Sequence, residues 1–322
     1  MKHFVSSLFK IENKPKRGLL PVEWAMFGYM GFTLIMIFFT YTKLVNPNAM
    51  LMGRIQIAAM TIALWGVYRL LPCSLTRAIR IFTQMGLLAW WYPDTYELNR
   101  VLPNLDYLLA TWEHLLFGMQ PALTFVQHFS SPIISELMDM GYASYYPMIV
   151  AVGLFYFFYR QKEFQRCTFV ITTAFFLYYA IYDLLPIVGP TFYFKAIGLN
   201  NVVKGIYPNV YDYFNFHQDC LIAPGYQNGI FYHLVESAKA AGERPTAAFP
   251  SSHVGISTIC MLLAWHSKNK YLLYIMLPFY FFLCLATVYI QAHYTIDAIA
   301  GLITGFVFYI VLILLSRRMQ LK

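Results

Sequence analysis

The stretch HYTIDAIAGLITGFVFYIVLILLSRR (residues 293–318) joins two unlike pieces of chemistry. From Ala298 to Leu315 it carries no charge, which meets the roughly 18–20 residues a membrane-spanning helix needs. It closes on Arg317 and Arg318, and it opens on a histidine and an aspartate four residues apart. An ionisable residue inside an apolar span is costly in lipid and usually functional, so Asp297 marks a candidate site as well as a helix over residues 294–315.

The rest of the chain has the same character. Of its 322 residues 59% are hydrophobic, 19% aromatic and only 12% charged, where a soluble domain carries roughly 25% charged residues. Further apolar runs at 22–42, 53–71, 77–92, 141–159, 167–187, 252–267 and 271–290 predict an all-α, polytopic helix bundle of six to eight transmembrane helices. The run at 77–92 is the weakest, because Arg77 and Arg80 shorten it and Trp90, Trp91 and Tyr92 resemble an interfacial aromatic belt. The amino-terminal stretch is basic and broken before any apolar core, so the first helix is expected to serve as the anchor.

The net charge of +8 is spread over short segments between apolar runs, a pattern that orients helices and argues against nucleic-acid binding. With eight spans, Lys10 to Arg17, Arg69 to Arg80, the RQKEFQR segment (160–166), Lys268 with Lys270, and the carboxy terminus all fall on one side. By the positive-inside rule that side, with both termini, is cytoplasmic. The five cysteines show neither CxxC spacing nor a Cys/His cluster, so no disulfide pair is apparent.

Two segments lie between spans on the outer side. Residues 93–140 include LDYLLATWEHLLFG (105–118), with apolar residues at helical spacing and a charged face. That pattern fits an interfacial helix or a helix packed on the bundle. Residues 188–251 form a loop punctuated by Gly, Pro and Asn. The chain divides into residues 1–140, amino-terminal helices plus the interfacial segment, and residues 141–322, a bundle with the outer loop.

AAFPSSHVGIST (247–258) sets a second histidine at the outer mouth of an apolar run, so His253, His293 and Asp297 can meet at one boundary. Taken singly, a histidine at a helix end is an interfacial polar residue and a pair of serines is a cap. Together they suit nucleophilic catalysis. A carboxylate on one ring nitrogen fixes the tautomer of His293 and frees the other to attack, and His253 can then protonate a leaving alkoxide. Ser251, Ser252 and the first turn of their helix form a candidate phosphate cradle. Lys239 and Arg244 in the outer loop can supply cations, or remain solvated loop charges.

FPSSHVG and HYTIDAIAG, separated by one hairpin, resemble the second and third signatures of the type-2 phosphatidic acid phosphatase superfamily. The resemblance implies that His293 is transiently phosphorylated, that His253 protonates the leaving group, that Asp297 orients His293, and that no metal or other cofactor takes part. Two features depart from the lipid phosphatases. The Lys-x6-Arg-Pro motif is missing, and Ala286 and Thr287 stand where those enzymes carry Ser-Arg. In this the chain is similar to the inositol phosphorylceramide synthase and sphingomyelin synthase branch, as it is in YDLLPIVGPTFY (182–193).

That branch implies transfer of a phosphorylated head group from a phospholipid donor to a ceramide-like acceptor on the outer face of the membrane. A phosphodiester carries one negative charge against nearly two on a monoester, and so needs fewer cations. A lipid phosphatase, and an inactive transporter or scaffold, remain the alternatives. Transfer also requires that water be kept out, for which residues 93–140 and YPNVYDYFNF (207–216) are candidate covers.

Overall fold

A computed structural model gives the structure of residues 8–13, 15–242, 244–246 and 248–321. Fifteen helices follow one another: α1 (Pro21–Thr40), α2 (Pro47–Leu70), α3 (Ser74–Gly86), α4 (Leu88–Asn99), α5 (Asp106–Phe117), α6 (Pro121–His128), α7 (Pro132–Ala143), α8 (Tyr145–Tyr159), α9 (Phe164–Leu184), α10 (Pro190–Ile197), α11 (Leu199–Val203), α12 (Ile230–Gly242), α13 (Ser252–His266), α14 (Lys270–Tyr289) and α15 (Thr295–Arg318). Short 3-10 turns and one isolated bridge, Ile11 to Cys73, accompany these helices among the described residues. Proline opens α1, α2, α6, α7 and α10, where its fixed φ suits the first turn and its missing N–H is not needed.

Five segments are long and apolar enough to cross a membrane: Pro21–Lys43, Pro47–Leu70, Gln161–Leu184, Lys270–Tyr289 and Thr295–Arg318. The pair α7 and α8, bent by 47° at Ser144, passes the same test only when taken together, as a broken span or a re-entrant loop. The protein is an all-α polytopic membrane protein. α9 is its central helix, with 72% of its apolar window buried against 22% to 39% for the other four.

Two of the expected spans take another form. The run at 77–92 is not one helix but breaks between α3 and α4, where the Leu87 N–H returns to Thr83 and the Trp90 and Trp91 N–H groups both return to Leu87. α13 has only 15 residues, about 22 Å at 1.5 Å per residue, short of the roughly 30 Å hydrocarbon core. It packs against α8, α9, α14 and α15 and is buried nearly all round, so its length is set by protein neighbours. Counting the bent pair, up to six segments are long and apolar enough to run between the two ends of the bundle, the lower bound of the six to eight expected.

The basic clusters meet at one of those ends. Arg80 pairs with Glu23 (Nε–Oε1 2.7 Å) and Arg77 with Glu12 (3.3 Å). Arg160 donates to the Ser267 carbonyl, Arg166 to the Leu321 carbonyl and Lys16 to Gln165. These bonds close segments far apart in sequence into one basic collar. At the opposite end α5, α6 and α10 to α12 form a cap, and the histidines lie beneath it.

α13 and α15 cross with their backbones in contact. A Cβ on Gly305 would lie 2.7 Å from the Gly255 carbonyl oxygen, and one on Gly301 would strike the Ser251 carbonyl. Small residues permit this close approach, which brings the start of α13 beside the start of α15.

Candidate active site

At the head of α13 the Ser251 hydroxyl caps the helix by accepting the Val254 N–H (3.4 Å). The Ser251 N–H donates to the Asp297 carbonyl (3.0 Å), tying the two helix starts together. The Tyr182 hydroxyl, from the end of α9, accepts the Ser252 N–H and donates to the Pro250 carbonyl, both at 2.9 Å. His253 follows in the first turn. Its ring stacks on Tyr142 (centroids 4.7 Å, planes at 22°) and leans on Tyr145 (4.4 Å), the residues on either side of the α7–α8 bend.

His293 lies just before α15, pinned by its own N–H to the Thr287 carbonyl (2.9 Å). Its Nδ1 is 2.9 Å from the Ala248 carbonyl oxygen. A carbonyl only accepts, so Nδ1 carries the hydrogen and Nε2 keeps its lone pair. Nε2 faces Nδ1 of His253 at 3.4 Å, with ring centroids 5.6 Å apart. His293 is 3% exposed and Asp297 fully buried.

Asp297 lies within ion-pair reach of His293 across the start of the helix, but the nearer partner of Nδ1 is the Ala248 carbonyl. The helix starts at Thr295, so His293 precedes it, and the Asp297 carboxylate stands 3.6 Å from Nδ1, behind the bond to Ala248. It accepts the Tyr294 N–H at 2.8 Å, as a carboxylate at the third helical position does in a capping box. Its negative charge still favours a positive charge on the ring.

The other expected residues are placed less simply. Ser251 spends its hydroxyl on the cap and the Ser252 N–H is taken by Tyr182, so the first turn is not a set of free donors. Lys239 pairs with Glu236 (3.3 Å) and Arg244 with Glu97 (3.5 Å), the latter also over the Tyr96 ring. Among the described residues, none of the hydrogen bonds or ion pairs of His253, His293 and Asp297 goes to a lysine or arginine.

Over this layer, in the cap, lies α5, which the sequence presented as a helix with an apolar and a charged face. The charged face points inward. Asp106 accepts the N–H groups of Val188 (2.7 Å) and Gly189 (2.9 Å), the Asn104 amide (2.7 Å) and the Tyr294 hydroxyl (3.1 Å). Glu113 accepts the Ile296 N–H (3.1 Å) at the start of α15. Burial pushes the Asp106 carboxyl up to about 6 and that of Glu113 up to about 7, against the donated hydrogen bonds that favour the charged form. Asp106, Glu113, Tyr182, Tyr294 and the Ala248 carbonyl were not singled out from sequence. For the two acids a signal existed: seven residues apart, they share one helix face.

These features make a candidate active site: a buried pair of facing histidines, one with its tautomer fixed and a carboxylate behind it, at the junction of two glycine-packed helices. Residues 106–311, about two thirds of the chain, match the model of the PAP2 superfamily, and the chain belongs to that superfamily. Its activity is therefore of the lipid phosphatase or phosphotransferase type, acting on lipid phosphate esters. No curated protein and no solved structure matches the chain.

Proposed function

We propose that the protein is a lipid head-group phosphotransferase, moving a phosphorylated head group such as inositol phosphate from a glycerophospholipid to the hydroxyl of ceramide or a related lipid. The observation that supports it most is the burial of His293 and Asp297, since water must be kept from a phosphorylated histidine for transfer to win over hydrolysis. The absence of Lys or Arg bonds to the described histidine–aspartate set is in keeping with a singly charged diester.

In the first step Nε2 of His293 attacks the donor phosphorus. The bond to the glycerol oxygen breaks, and His253 gives its proton to the departing alkoxide. In the second the acceptor hydroxyl attacks the phosphorus, passes its proton to His253, and the P–N bond breaks to restore His293. The Ala248 carbonyl holds Nδ1–H throughout, and Asp297 stabilises the ring as it gains positive charge. A phosphoryl group cannot fit between nitrogens 3.4 Å apart, so donor binding moves the His253 ring away from His293. Ser252 offers its hydroxyl to the phosphoryl oxygens, whereas Arg244 and Lys239 serve only by leaving Glu97 and Glu236. The basic collar is assigned to the cytoplasmic side with both termini, which puts the site on the outer face.

The test uses purified protein in mixed micelles with a head-group donor, fluorescent ceramide and, separately, phosphatidate. The proposal expects a new phosphorylated ceramide band that is lost in His293→Ala. Free phosphate from phosphatidate with no new ceramide product would make the protein a lipid phosphatase instead.

A further inference from the structure

The polarity of α5 is turned inward. Asp106 and Glu113 are fully buried on one face, while Trp112, Leu115 and Leu116 on the other are 54%, 76% and 69% exposed. Apolar contacts alone could seat such a helix on the bundle, and each buried carboxylate adds a desolvation cost. What the carboxylates gain is specific. Every bond they make, the Asn104 amide excepted, ends on a segment that carries or braces His293.

The connections form a closed circuit. Asp106 Oδ2 takes the Val188 N–H, and Oδ1 takes the Gly189 N–H. One residue back, the Ile187 carbonyl accepts the Ala248 N–H (3.0 Å). The Ala248 carbonyl in turn accepts Nδ1–H of His293, and the neighbouring Tyr294 hydroxyl returns to Asp106 Oδ1. The loop is also in direct contact, because a Cβ on Gly189 would sit 2.6 Å from the Ala292 carbonyl oxygen. Glu113 fixes the start of α15 and with it Asp297 behind the ring.

We infer that Asp106 is a positioning residue for His293: by joining residues 187–189 to Tyr294 it sets the Ala248 carbonyl where that carbonyl imposes the Nδ1–H tautomer and leaves Nε2 free as the nucleophile. The inference rests on the reading of His293 as the phosphorylated residue. Four donors converge on two carboxylate oxygens, so an amide of the same size must turn an N–H toward at least two of them. Asp106→Asn is therefore a mismatch without a change of volume, and Tyr294→Phe removes one bond of the circuit by deleting a single hydroxyl.

The experiment has two readouts on full-length protein in micelles. The first is kcat and KM for head-group transfer. Positioning predicts a fall in kcat of about 10²-fold in Asp106→Asn with KM little changed, and a smaller fall in Tyr294→Phe. The second is the 15N shift pair of His293 in protein labelled on histidine, assigned by its loss in His293→Gln, which needs no substrate. Wild type is expected to show one Nδ1–H tautomer and both variants a mixture. A folded Asp106→Asn protein that keeps the single tautomer, or whose kcat falls only in step with its melting temperature, overturns the inference. If that variant does not fold, unchanged tautomer and kcat in Tyr294→Phe overturn it equally. Wild-type protein inactive on every lipid phosphate ester would defeat the proposed function, and the tautomer result would still decide this inference.

Discussion

Replacing Gly189 with alanine probes the coupling between the outer loop and the histidine pair. Gly189 has φ +88° and ψ 169°, a region open essentially only to glycine, and a side chain there costs about 1–3 kcal/mol in backbone strain. The new Cβ would also lie 2.6 Å from the Ala292 carbonyl oxygen and 3.1 Å from the Ala248 Cβ. Both neighbours are main chain or attached directly to it, so relief requires moving backbone, at about another 1–3 kcal/mol. Ala292 precedes His293, and Ala248 supplies the carbonyl on Nδ1, so the shift falls on the nucleophile from both sides. A displacement on the order of 1 Å lowers kcat by about 10²-fold. The assay is head-group transfer in mixed micelles, read as kcat and KM beside a thermal melt. Unchanged kcat with an unchanged melting temperature would refute the coupling, since the Cβ would then have been accommodated without disturbing either neighbour.

Three further outcomes follow from the same geometry. Tyr182→Phe strands a buried N–H on Ser252 and a buried carbonyl on Pro250, so a thermal melt should show a loss of about 1–3 kcal/mol for each, and an unaltered melt contradicts the bonding at the head of α13. Glu113 has its carboxyl raised from 4.5 to about 7 by burial, so the unfolded chain loses its proton first as pH rises. The contribution of Glu113 to stability is therefore greatest below about 4.5 and declines by about 3 kcal/mol toward pH 7, after which it levels. Melting curves of Glu113→Gln should show a shallower decline, because the amide keeps an oxygen for Ile296 N–H and carries no charge, while Asp106 and Asp139, also raised by burial, keep their own share. His253→Ala should slow transfer from natural phospholipid by about 10²–10⁴-fold, yet recover much of it with a nitrophenyl phosphodiester, whose leaving group needs no proton. His293→Ala should recover nothing; equal behaviour of the two variants would show that the acid and the nucleophile are misassigned.

The bundle was legible in the sequence where composition alone decides. The uncharged run to Leu315 could be little but a span, and the basic segments the sequence sets on one side do meet in one collar. The histidines were legible because polar residues at the mouths of apolar runs are expensive and therefore informative. The break at Leu87 was not, because a glycine in an apolar run is equally compatible with a continuous helix. The length of α13 was legible in the run at 252–267, but its burial by four neighbouring helices rather than by lipid was not. Periodicity found both faces of α5 but gives no direction, so which of them meets the protein stayed open until the fold turned Asp106 and Glu113 inward. The partner that fixes His293 could not be read at all, because it is a backbone carbonyl, and every residue has one.

The central claim is that His293 carries the head-group phosphate between two lipids. The most direct measurement supplies a donor labelled in its head group, withholds the acceptor, quenches the enzyme in base and maps the label by mass spectrometry of the peptides. The account predicts a head-group phosphate on His293 that disappears when ceramide is added before the quench and never forms in His293→Ala. Full transfer activity with no label on His293 at any time, or label on another side chain, would contradict it.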